Sequence, residues 1–378
     1  MAKINSLTEL LSPSGQKLLT ASGKELIKEI GFDVVRNVVF NIMTGRNLRD
    51  STEPFTRKRI AALNLATLTL FLEGTSLQAD FIEQLPELAS TFLKQKGLSK
   101  SERWLSQWVL GLTDKASQNV LRGDKGGIDS YRDAYIKTCE EVIALQQSEK
   151  GDLTGKLYLN KKLKSTVSWL SMVYLLNTVG AQTLTIRGSE KSAYGKLFEK
   201  LVLGSLLHVL GFKFVPPNRP GQDSNVFWLS SRENKRESDA TLLYEDEKAV
   251  RFDIGFIGPG NSEISLDKVS RFEREFEVAG RLRAAEVIII VDRIGKGSRI
   301  LDLAHRINGH IVQMSSAYWP QHVAKILAET IGYEGNLVDM AENSIEPFLQ
   351  SRLQIAPLEE FIKYTEDVLL DSIDTDIE

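Results

Sequence analysis

Residues 249–257 read Ala-Val-Arg-Phe-Asp-Ile-Gly-Phe-Ile. An extended chain alternates its faces with a period of two. Val250, Phe252, Ile254 and Phe256 therefore share one apolar face, and Arg251, Asp253 and Gly255 share the other, so the spacing predicts a strand. Ser238–Tyr244 is a second strand candidate, joined to the first by the polar turn Glu245-Asp246-Glu247. Antiparallel pairing would carry Asp239, at the start of that strand, towards the same end as Asp253. A carboxylate in so apolar a strand is costly unless it is paired or bound to metal. Two carboxylates converging on one face need a cation, and hard oxygen donors favour Mg²⁺. The competing structural reading is that Asp239 caps its strand and that Asp253 pairs with Arg251 or Arg271.

Outward from this hairpin, helix and strand patterns alternate. Ser192–Leu210 has apolar residues at helical spacing (Tyr194, Leu197, Phe198, Leu201, Leu207) and is stopped by Gly211. Phe212–Val215 and Val226–Leu229 are short apolar runs separated by Pro216, Pro217, Pro220 and Gly221. Ser265 is placed to cap a helix reaching Arg283. Glu286–Val291 (EVIIIV) is a continuous apolar run, the mark of a strand buried on both faces. A helix over Arg299–Arg306 and a strand over His310–Met314 complete the series. The order predicts an α/β (α+β) fold with a central mixed sheet flanked by helices. Residues 1–180 read as mainly helical, with Leu63–Glu73 and Trp104–Leu112 as helices and a break at Gly123–Gly127. Trp104 and Trp108, four apart, are expected to be core neighbours on one helix face. The expected organisation is a helical domain over 1–185, a sheet domain over 186–335 and an acidic helical segment over 336–378.

Composition excludes several classes. The 378 residues suffice for two domains, and one cysteine forms no internal disulfide and builds no multi-thiolate zinc site. Cys139, with no His or Asn motif around it, reads as a small core residue rather than a nucleophile. Without an apolar run of roughly 20 residues or an export signal in Met1–Leu11, no membrane partner is expected and the protein should be cytoplasmic. The net charge of −3 excludes a uniformly basic coat, but Arg46–Arg59 and Lys156–Lys164 are locally basic. A P-loop is missing, and Gly295-Lys-Gly297-Ser lacks the third glycine of a dinucleotide fingerprint, so no nucleotide cofactor is expected. His208, His305, His310 and His322 show no H-E-x-x-H spacing, and His208 reads as a satisfied core residue. There is no Gly-x-Ser-x-Gly elbow.

The ordered combination resembles the PD-(D/E)xK nuclease superfamily over roughly a third of the chain. In that pattern a helix carries a glutamate and ends in Gly-Phe. An aspartate follows, and then a strand bears a carboxylate and, two residues on, a lysine. Gly195-Lys-Leu-Phe-Glu199 through Leu210-Gly-Phe212 matches the helix, Ser238-Asp239 the first carboxylate and Asp253 the second. Gly255 stands where the lysine should be. Asp246-Glu247-Lys248 copies the motif literally but lies in the hairpin tip and is a decoy. The candidate replacement is Lys268, for which a solvated face or a phosphate contact is an equal competitor; a solvated side chain likewise competes with a supporting role for Glu199. A narrower resemblance, carried by Gly45–Ile60 and by Phe252-Asp-Ile-Gly-Phe-Ile-Gly258, is to the CfrBI family of type II restriction enzymes. The resemblance implies a restriction-endonuclease-like core that cuts double-stranded DNA site-specifically with Mg²⁺ held by Asp239 and Asp253. It also implies a homodimer, with the helical domain serving recognition and dimerisation. Arg46, Arg49, Arg57, Lys58 and Arg59 are candidate DNA contacts, since the planar guanidinium binds bidentately; a solvated surface competes at each. Two further readings stay open, a structure-directed repair or recombination nuclease and a catalytically inactive DNA-binding module on the same fold.

Overall fold

The computed structural model describes residues 4–19, 21, 23–121, 127–159, 161–216, 224–230, 238–245, 248–256, 285–294 and 309–363. In chain order the helices before the first strand are α1 (Pro13–Leu19), α2 (Gly23–Ile30), α3 (Phe32–Met43), α4 (Leu48–Leu77), α5 (Phe81–Leu93), α6 (Lys100–Val109), α7 (Asp114–Leu121) and α8 (Gly127–Lys150). Then come β1 (Gly155–Leu159), β2 (Lys162–Val167) and α9 (Trp169–Val209). The strands β3 (Lys213–Phe214), β4 (Val226–Leu229), β5 (Ala240–Leu243), β6 (Ala249–Gly255), β7 (Ala285–Val291) and β8 (Gly309–Gln313) precede α10 (Trp319–Ile331), α11 (Glu342–Gln354) and α12 (Leu358–Lys363). The chain divides into one unit of Met1–Ala21 with Pro54–Glu190 and another of Ser22–Glu53 with Lys191–Glu378. The division falls inside α4 and α9.

Among the described residues the secondary structure of the first unit is helical apart from the β1–β2 hairpin. By length and composition α4 could cross a membrane, but its Phe55, Leu63, Leu70 and Phe71 are buried inside this unit. Several polar side chains there are matched, although the Ser106 and Ser117 hydroxyls find no partner among the described residues. Thr67 donates to Gln182 (2.7 Å), Gln182 to Asn64 (2.7 Å) and the Trp108 indole to Thr185 (3.0 Å). Trp104 and Trp108 are both buried with ring centroids 5.7 Å apart, the core pair that their spacing predicts. Cys139 is also buried; Asn177 and Tyr135 lie beside it, and burial pushes its thiol up, away from the nucleophilic thiolate.

The second unit is built on a six-stranded mixed sheet in the order β3-β4-β5-β6-β7-β8. β4, β5 and β6 pair antiparallel, while β6, β7 and β8 run parallel. The EVIIIV run forms β7, and Val287 to Val291 are all buried, as a strand covered on both faces requires. The helix α9 ends as expected: Gly211 takes φ +94°, and the Phe212 amide bonds back to the Leu207 carbonyl (3.1 Å). It begins much earlier than Ser192, however, because Gly188 costs only about 1 kcal/mol in a helix interior and does not break it. Gly204 lets the Phe361 ring approach α9; a Cβ there would stand 2.8 Å from the ring. The segment Ser22–Glu53 joins this unit through long-range bonds. Trp319 donates its indole N–H to the Ile42 carbonyl (2.8 Å), and Arg36 donates to the Leu353 and Ala356 carbonyls. The helices expected at Ser265–Arg283 and Arg299–Arg306, and most of the Gly123–Gly127 break, lie outside the described residues.

Candidate active site

The hairpin register builds the site. Ala240 stands opposite Phe252 and Thr241 opposite Arg251, so one further antiparallel step sets Asp239 opposite Asp253. Side chains of directly opposed residues share a face, and the two strands exchange bonds through these acids. The Asp239 amide donates to Asp253 Oδ1 (3.3 Å), and the Ile254 amide donates to Asp239 Oδ2 (2.9 Å). The carboxylates thus close the ladder where its backbone pairing ends. Each bond engages one of a carboxylate's two oxygens.

One expectation about this face is corrected. The alternation reading put Asp253 on an otherwise polar face. Across β7 the neighbours on that face are Val287, Ile289 and Val291, and Ile311 of β8 stands beside Ile289. Val287, Ile289 and Val291 form a buried cluster with Ile294 and Ile311 packed on it, and Asp253 itself has 0% exposure. The parallel strands supply an apolar floor that a period-two reading of one strand cannot see. A buried carboxylate facing a second one is a stronger demand for compensating positive charge than a solvated pair would make.

The supporting elements converge on this end of the sheet. Lys200 of α9 donates to the Ser230 carbonyl (2.8 Å), and the Ser230 amide and hydroxyl both donate to the Asp239 carbonyl (3.0 and 3.3 Å). Glu199 is half-buried next to Lys200. Among the described residues no group of three or more His, Cys, Asp or Glu that could hold a metal ion is found. Sequence reasoning misses Lys200, whose only signal there is adjacency to the glutamate of the Gly195–Glu199 stretch. It misses Asp292 as well. That residue follows Val291, the partner of Gly255, and burial raises its carboxyl pKa. Gly255 is in the strand and buried, so β6 brings no lysine to the pair. Lys268 lies outside the described residues.

Lys248, expected to be a decoy in the hairpin tip, is engaged elsewhere. Its amine donates to the Ile331 carbonyl at the C-terminus of α10 (2.9 Å), where a cation is favoured by the helix dipole. His208 departs from expectation. It sits half-buried at the end of α9, its Nε2 finds no hydrogen-bond partner among the described residues, and burial with Arg352 and Arg36 nearby lowers its pKa.

The basic segment divides. Arg46, Arg49, Arg57 and Lys58 are exposed. Arg59 is not: it is 2% exposed and donates to the Leu18 and Leu19 carbonyls (3.0 and 3.2 Å). It ties α4 to the end of α1, which corrects its assignment as a DNA contact. Gly45, at φ +91°, turns the chain against the Ser316 carbonyl, only 3.1 Å from where a Cβ would stand. Ser316 follows β8, which is two strands from β6 in the parallel part of the sheet. Neighbouring strands lie about 4.8 Å apart. Gly45 therefore lies towards the end of the parallel strands at which Gly255 stands, with Arg46 next to it in the chain.

A profile of the CfrBI restriction endonuclease family matches residues 32–299. The type II restriction enzyme CfrBI of Citrobacter freundii is 38% identical over 324 residues, 85% of this chain and 89% of the relative. The chain belongs to the CfrBI restriction endonuclease family. No solved structure matches it. The family match spans the carboxylate pair, the Gly45 turn and the β1–β2 hairpin.

Proposed function

We propose that this sequence-specific DNA endonuclease is built on a restriction-endonuclease-like core and acts on double-stranded DNA in the cytoplasm as a homodimer. The observation that carries the reading is the Asp239–Asp253 pair, opposed across the end of a hairpin and bonded through each other's strands. Two carboxylates are a hard-oxygen donor set that fits Mg²⁺, which completes its shell with waters and substrate phosphate. When bound, the ion would polarise a phosphodiester oxygen and lower the pKa of the water that attacks the phosphorus.

The chain's own groups set up that chemistry. Asp239 and Asp253 would hold the cation, and the apolar floor of Val287, Ile289 and Val291 keeps their charge unscreened. Lys268 is assigned to orienting the attacking water and stabilising the developing phosphate charge. Glu199 supports the pair from α9, and Lys200 holds the Ser230 carbonyl while Ser230 donates to the Asp239 carbonyl. Arg46, Arg49, Arg57 and Lys58, all exposed, are the candidate contacts to the duplex. Recognition and dimerisation are assigned to the helical N-terminal portion, 1–185, hydrolysis to 186–335, and no catalytic part to 336–378. No nucleotide cofactor is invoked.

Digestion of DNA of known sequence tests this. The expected result is discrete fragments that need Mg²⁺ and vanish with chelator, with identical ends at every cut. Preference for branched substrates would point instead to a repair or recombination nuclease. Binding without cleavage would make the chain an inactive DNA-binding module.

A further inference from the structure

The hairpin of β1 and β2 carries charge that the catalytic reading leaves unused. Its strands pair from Gly155 opposite Val167 to Leu159 opposite Lys162, which leaves only residues 160 and 161 between them. Lys161 takes φ +62° at this turn. Over residues 155–167 the sequence holds Lys156, Lys161, Lys162 and Lys164 and no acidic residue, in a protein of net charge −3. One side of the hairpin is anchored: Leu157 and Ser165, directly opposed, line a small apolar recess with Leu68, Phe71, Ile82 and Met172. Lys156, Tyr158, Leu159, Lys161, Lys162 and Thr166 are exposed, Tyr158 at 60%. No carboxylate pairs with Lys156, Lys161 or Lys162 among the described residues.

Lysines on a lone hairpin also serve to block edge-to-edge pairing. That purpose does not require an exposed tyrosine and leucine beside them, and it does not require acids to be excluded from both strands. A two-stranded ribbon has the width of the DNA major groove, about 12 Å, and phosphates on both groove walls are the chemistry that a two-sided row of lysines complements.

We propose that the β1–β2 hairpin is a duplex-DNA contact ribbon, with Lys156, Lys161 and Lys162 on phosphates and Tyr158 directed to the groove. The proposal rests on the endonuclease reading for its ligand but makes a separate prediction. Binding of a short fluorescent duplex, without divalent metal, is measured against salt for the full chain and for the variant Lys156→Ala/Lys161→Ala/Lys162→Ala. The control is Lys137→Ala, which removes an exposed lysine on α8 that pairs with Glu141. The triple variant should bind at least about tenfold more weakly, and its log–log salt slope should flatten by about 0.9 for each phosphate that is no longer neutralised. The control should leave both unchanged, and each single lysine variant should flatten the slope in part. An unchanged slope in the triple variant would overturn the proposal, whatever happens to its affinity. Plasmid cleavage is scored in parallel. A chain that binds through the hairpin and never cuts overturns the endonuclease reading alone. A chain that cuts with the triple variant's binding intact overturns the hairpin alone.

Discussion

Two hairpins in this chain are built from the same element and set in opposite surroundings. The β5–β6 hairpin is enclosed, with Leu242, Val250, Phe252 and Ile254 at 0% exposure and two carboxylates closing its end. The β1–β2 hairpin is anchored by Leu157 and Ser165, and what it shows to solvent is lysine and tyrosine. Burial is what separates them. An acid pair in a desolvated setting is a strong, local demand for a cation, whereas exposed lysines are individually weak and act by number over a polyanion. As proposed, one hairpin would hold an ion and the other a polyanionic surface.

The contrast can be broken by substitutions, taken from the largest expected effect. Phe252→Ala, under the carboxylates, should cost about 3–5 kcal/mol of unfolding free energy, whereas Tyr158→Ala should stay within about 0.5 kcal/mol; denaturant titration of both checks it. Equal costs would mean that the exposed hairpin is part of the core. Arg59→Met should destabilise by about 1–3 kcal/mol, because two buried carbonyls lose their donor, and should leave the salt slope of DNA binding untouched. A flatter slope would restore Arg59 to the DNA surface. Lys248→Met should cost about 0.5 kcal/mol, because the end of α10 loses its cation, and should leave cleavage unchanged, as a lysine at a hairpin tip requires.

The smallest effect is a pH dependence. The folded-state pKa of His208 is lowered, by burial first and then by Arg352 and Arg36. The unfolded chain therefore binds that proton more readily, and stability declines as pH falls from about 6.5 towards the lower folded value. Melting across that window should show a decline that His208→Gln reduces.

Much of the sheet is legible in local pattern. EVIIIV and AVRFDIGFI announce β7 and β6, and the hairpin spacing alone carries Asp239 towards Asp253. What escapes is non-local. Ser22–Glu53 belongs with the sheet because Gly45 rests on Ser316 and Ile42 accepts from Trp319, pairings across some 270 residues that no window contains. The apolar floor under Asp253 comes from a parallel neighbour for the same reason. Arg59 is legible but easily misread: it continues the spacing Phe55, Arg59, Leu63, Ala66, Leu70, all buried along one face of α4, yet a run of basic residues reads more readily as surface. Lys200 carries too little pattern to be found, since its role depends on a carbonyl thirty residues away.

The central claim, that Asp239 and Asp253 form the metal-holding centre, is tested most directly by the isosteric change Asp253→Asn, which removes the charge and keeps the shape. The variant should fold, bind duplex DNA as the parent does and lose Mg²⁺-dependent cleavage by on the order of a thousandfold or more. Asp239→Asn should behave alike. Cleavage by Asp253→Asn at the parent's rate, with the same fragment ends, would contradict the claim.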